Sequence, residues 1–196
     1  MFSFENLQQV LSGGAIQQIS QQVGTDEGTT QNVVQAAVPL LMAALARNAS
    51  NPDGAQSLAG ALDRDHDGSI LDNLTGFLGS GDTSPGAGIL GHVLGGSQNA
   101  VANQLGSQFG LNGNQVAQIL MMLAPIVLGM LGRAKQQQGM DPGSLSDMLN
   151  QQSTQAAQSS GMMGMLNQML DRDRDGSAID DIAGMGMNIL GGMFKR

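Results

Sequence analysis

Two long apolar stretches, each with a proline inside it, constrain this chain more than anything else in it. Thr30 to Arg47 reads TQNVVQAAVPLLMAALAR and Val116 to Arg133 reads VAQILMMLAPIVLGMLGR, so Pro39 matches Pro125 and Arg47 matches Arg133, 86 residues apart. A helix that is apolar nearly all round has to be buried. A proline within it is expected to kink it or start a new turn. The segments before them match at the same interval, Gln18 to Gly24 (QISQQVG) with Gln104 to Gly110 (QLGSQFG), and Asn112 takes the capping place of Asp26. The repetition predicts an all-α fold: a duplicated helical unit with pseudo-twofold symmetry, whose two central helices bury each other.

A second phrase is also spoken twice. Asp63-Arg64-Asp65-His66-Asp67-Gly68-Ser69 returns as Asp171-Arg172-Asp173-Arg174-Asp175-Gly176-Ser177. Carboxylates at alternate positions, then a glycine, then a hydroxyl residue, form the opening of an EF-hand-type calcium loop between helices. The usual closing glutamate at position 12 is missing, since Leu74 and Ile182 stand there, but Asp72 and Asp180 offer a carboxylate two residues earlier. The candidate metal ligands are therefore Asp63, Asp65, Asp67, Ser69 and Asp72 in the first loop. In the second they are Asp171, Asp173, Asp175, Ser177 and Asp180, with Ca2+ as the expected ion. The competing reading is a helix cap without metal. Ser69 with Asp72, and Ser177 with Asp180, stand as S-x-x-D, a capping-box variant at the start of a helix.

These repeats divide the chain into an N-terminal segment 1–12, a first helical repeat 13–97 with its Asp loop at 63–72, and a second repeat 98–196 with its loop at 171–181. The two loops are 108 residues apart rather than 86, which places an insertion near 135–161 in the second repeat. That segment is rich in Gln, Ser and Gly and reads as a weakly anchored helix or a mobile loop. Residues 55–62 and 70–78 read as helices flanking the first loop, 79–88 as a connection, and Ile89 to Gly96 as a glycine-spaced apolar helix suited to close packing on a neighbour.

Charge and composition exclude several functions. The formal net charge is -8, and nine of the sixteen acidic residues lie in the two loop stretches, which argues against nucleic acid or anionic lipid as a partner. With no Cys, Trp or Tyr and 14 Met, the core has to be built from aliphatic and thioether side chains. No basic n-region with an apolar stretch opens the chain, and the run Ile119 to Gly132 falls short of the roughly eighteen residues a spanning helix needs. A cytoplasmic location follows as the expectation. His66 and His92 are isolated, and no nucleophile set, phosphate loop or ligand-spaced histidine pair appears, so an enzyme is not expected. Methionines 162, 163, 165, 169, 185, 187 and 193 are better core or partner contacts than copper ligands.

At Gln35 to Arg47 (QAAVPLLMAALAR), Ala61 to Leu74 (ALDRDHDGSILDNL), Gly86 to Gly96 (GAGILGHVLGG) and Val116 to Arg133, the sequence resembles the bacterial domain of unknown function 937 family, which includes the YidB-like proteins. The resemblance implies a small all-helical bacterial protein and no established reaction. The functional expectation is a non-enzymatic calcium-binding protein that self-associates through its apolar, glycine-rich helices. The alternative is a membrane-surface or assembly factor in which the Asp loops only cap helices; Gly88 to Gly96 and Gly184 to Phe194 would then touch the bilayer.

Overall fold

The computed structural model describes residues 9–11 and 14–159, and every regular element among them is helical. Helix α1 spans Ala15–Val23, α2 Glu27–Asn48, α3 Pro52–Arg64, α4 Leu74–Ser80, α5 Ser84–Val93, α6 Gln98–Phe109, α7 Gly113–Gln138 and α8 Pro142–Ser159. Short 3-10 turns cover Ser69–Asn73 and Gly95–Ser97. The described residues up to Ser153 form one compact unit. The second Asp phrase, the Met cluster and Gly184 to Phe194 lie outside the described residues.

The two proline-bearing stretches become α2 and α7, and they pack against each other. Their N-termini are built alike. Asp26 (φ -79, ψ 158) accepts a hydrogen bond from the Thr29 N–H, and Asn112 (φ -80, ψ 157) accepts one from the Gln115 N–H. Each satisfies a donor that the first helical turn leaves unpaired. Gln115 returns the favour by accepting from the Asn112 N–H, which completes a capping box. The preceding helices also stop alike, with Gly24 (φ 71) after α1 and Gly110 (φ 73) after α6 in the left-handed region.

Helix α7 is the axis of the core. Fifteen of its 26 residues are buried, so it must be covered on several sides; α1, α2, α3, α5, α6 and the first 3-10 turn do so. Leu120, Leu123, Ile126 and Leu131 are fully buried along it, alongside Leu41, Leu62, Leu90 and Leu105 from the surrounding helices.

Both helices continue through their prolines, Pro39 and Pro125. A proline offers no N–H to the carbonyl four residues earlier, which for Pro125 is that of Met121. Gly86 of α5 lies against that same carbonyl, so closely that a Cβ on residue 86 would overlap the Met121 oxygen. The bare Cα allows the two helices to meet backbone to backbone.

Two expectations shift. Residues 79–88 are less of a connection than their Gly, Ser and Pro content suggests: α4 runs to Ser80 and α5 starts at Ser84, because Pro85 in a first turn removes an N–H that would have no intrahelical partner anyway. The segment near 135–161 is helical over its described part, as the end of α7 and as α8. Leu145 and Leu149 anchor α8 at 0% exposure, four residues apart on one face.

Candidate acidic-turn site

The first Asp phrase folds as a turn laid across the C-terminal half of α7. Helix α3 carries Asp63 in its last turn and ends at Asp65, whose N–H donates to the Ala61 carbonyl at 2.9 Å. The chain then reverses at Gly68, at φ 96, a conformation that costs a residue with a Cβ about 1–2 kcal/mol. Ser69–Asn73 follows as the 3-10 turn, with the Leu71 N–H donating to the Gly68 carbonyl at 3.1 Å.

Helix α7 is shaped to receive this turn. A Cβ on Gly132 would overlap the His66 carbonyl oxygen, and one on Gly129 would meet the Ile70 side chain at 2.6 Å. These two glycines let backbone approach backbone.

The carboxylates then go separate ways. Asp63 accepts from Lys135 Nζ at 2.6 Å, and Asp72 accepts from Arg133 Nη2 at 2.5 Å. The same Nη2 donates to the Gly68 carbonyl at 2.9 Å, so one guanidinium joins the bend of the turn to its far end. Asp67 accepts from the Ser69 N–H at 2.9 Å, closing a local Asx turn. Hydrogen bonds from Ser69, backbone first, hold its carboxyl below the usual aspartate value, and Arg133 adds to the effect. Asp65 is exposed at the helix end. His66 is half-buried, and burial pulls its imidazole pKa below 6.5 against a smaller opposing pull from Asp65.

The turn thus brings Asp63, Asp65, Asp67, Ser69 and Asp72 into one ten-residue stretch, but among the described residues no group of three or more His, Cys, Asp or Glu is arranged to hold a metal ion. The capping expectation is also redistributed. Ser69 and Asp72 do not form a box; Asn73 caps α4 by accepting from the Gly76 N–H at 3.2 Å, while Asp72 faces Arg133. Asp171, Asp173, Asp175, Ser177 and Asp180 lie outside the described residues.

Arg133 and Lys135 are the site residues that the sequence leaves unmarked as such. Their signal is faint: two cations directly after an uncharged apolar run that is broken by Gly129 and Gly132. Elsewhere a cleft of about 330 Å³ between α1, the end of α4 and α7 is lined by Gln22, Gly79, Gly81, Thr83, Gln118 and Met122, none of them charged. Helix α7 is long and apolar enough to cross a membrane, yet its most apolar window is 78% buried within the protein, as befits a core helix.

The model of a family described as bacterial protein of unknown function (DUF937) matches residues 5–134, a span that includes the acidic turn and Arg133. No curated protein and no solved structure matches the chain.

Proposed function

We propose, from the premise that this chain belongs to the bacterial DUF937 family, that it is a non-enzymatic helical scaffold whose first acidic turn is a charge-braced joint between α3, α4 and α7. The observation that carries this reading is Arg133 Nη2 donating to both the Gly68 carbonyl and Asp72. A carboxylate already matched by a guanidinium, with Lys135 on Asp63 beside it, has its charge compensated from within the chain. The design is read as duplicated: the equivalent caps Asp26 and Asn112, the equivalent stops Gly24 and Gly110, and the prolines 39 and 125 all support it.

Self-association belongs to the same reading, and the outer side of α5 supports it. Gly88 and Gly91 are exposed, and a Cβ on either would meet nothing within 4 Å among the described residues. Each costs the helix about 1 kcal/mol relative to alanine without easing any contact among the described residues. Close approach by a second copy would account for that cost.

A second reading keeps calcium as the turn's ligand, favoured by the left-handed Gly68 at the loop position where such a turn is required. It asks Asp63 and Asp72 to release Lys135 and Arg133 before they can ligate. Thermal melts with and without millimolar calcium separate the two, since a ligand specific to the native state must raise the melting temperature. The braced joint predicts no shift with calcium and a lowered melting temperature for Arg133→Ala. A rise with calcium that Asp63→Asn abolishes would replace it with the metal reading.

A further inference from the structure

We propose that residues 52–80, comprising α3, the 3-10 turn and α4, form a strap that opens from α1 and α7 as one cooperative unit while the other helices stay packed. Burial is the first argument. Helix α3 buries only Ala55, Ala59 and Leu62, the 3-10 turn buries no residue, and α4 buries Leu78 alone, whereas α7 buries fifteen. Apart from Leu62 and Leu78, the buried contacts of this segment are alanines that supply little apolar area, so the hydrophobic effect holds it far less than it holds α7.

Besides the close approach of His66 and Ile70 to Gly132 and Gly129, the attachments that remain are polar and few. Lys135 holds Asp63, Arg133 holds Asp72 and the Gly68 carbonyl, and the Gln22 side chain donates to the Leu78 carbonyl. Both ends of the strap are short connections: Ala49 to Asn51 before α3, and Gly81 to Thr83 after α4, with Gly81 in the left-handed region. Opening swings the turn away from Gly129 and Gly132 and bares that flank of α7, while Leu123, Ile126 and the α2 face stay covered. The charge hold rests on the joint reading above; the strap itself rests on burial and hinges.

Native-state hydrogen exchange on the full chain, at about 0.05 M and about 0.5 M salt, tests it, because salt screens partly exposed ion pairs and leaves apolar packing in place. The expected result is that the amides of α3 and α4 exchange at a common rate about tenfold or more faster than those of α7. High salt, or Arg133→Ala, speeds the strap roughly threefold and leaves α7 unchanged. Common exchange that is fast but insensitive to salt and to Arg133 keeps the strap and removes the charge hold. Strap amides exchanging as slowly as those of α7 in the wild-type chain overturn the proposal, and that outcome needs no variant to fold.

Discussion

Lys135 and Asp63 are 72 residues apart in the chain and 2.6 Å apart in space, and the two ends of that contact differ in kind. The lysine side chain is 12% exposed and the aspartate 53%, so the aliphatic stem is packed away and only the ammonium reaches the acidic turn. Replacing Lys135 by Met keeps the stem and removes the charge. The expected loss in urea unfolding is about 0.5–1 kcal/mol. Adding Asp63→Asn to that variant should cost little more, because the pair is already broken.

Close backbone approach at two glycines makes a sharper prediction. Gly132→Ala drives a methyl group into the His66 carbonyl, and Gly86→Ala drives one into the Met121 carbonyl. Each should destabilise by about 1–3 kcal/mol, since backbone has to move rather than a flexible side chain. Gly91→Ala, at a helical position with open space around it, should instead stabilise by about 0.5–1 kcal/mol. Chemical denaturation of the three variants checks both signs.

The same open face tests self-association. Gly91→Leu leaves the interior untouched and puts a bulky side chain where a second helix would come close. Sedimentation equilibrium should show wild-type chains associating and the variant remaining monomeric with its melting temperature preserved. Wild-type chains that stay monomeric at high concentration would remove the self-association reading.

Stability should fall with pH in two separate windows. His66 has its pKa lowered by burial, so the unfolded chain takes up that proton first; its contribution is complete above pH 6.5 and is lost as pH falls through the lower folded value. His66→Gln should flatten the curve there. Asp26 is likewise held below 3.8, by the Thr29 side chain first and its N–H second, and Asp67, Asp82 and Asp141 chiefly by backbone N–H donors, so a further loss begins as pH falls toward that value and continues through their folded values. Melting temperatures between pH 8 and pH 2 report both.

What could be read in advance was what is encoded locally. Asp26 and Asn112 start the two long helices, and the apolar runs are buried, because caps and periodicity act within a few residues. Helix α3 begins at Pro52 rather than near residue 55, since Asn51 accepts from the Gly54 N–H and a proline fits the first turn. The acidic turn was legible as a turn but its partners were not: Arg133 lies 61 residues from Asp72, and no spacing rule joins residues so far apart. The clue lay in Gly129 and Gly132, whose role appears only once the His66 backbone is seen against them.

The central claim, that this turn is braced from α7, is tested most directly by a double-mutant cycle on Asp72→Ala and Arg133→Ala, followed by urea unfolding in chelator. The account predicts that the double variant is more stable than the sum of the single losses by about 0.5 kcal/mol or more. Strict additivity would contradict it, above all if calcium then raised the stability of the wild-type chain alone.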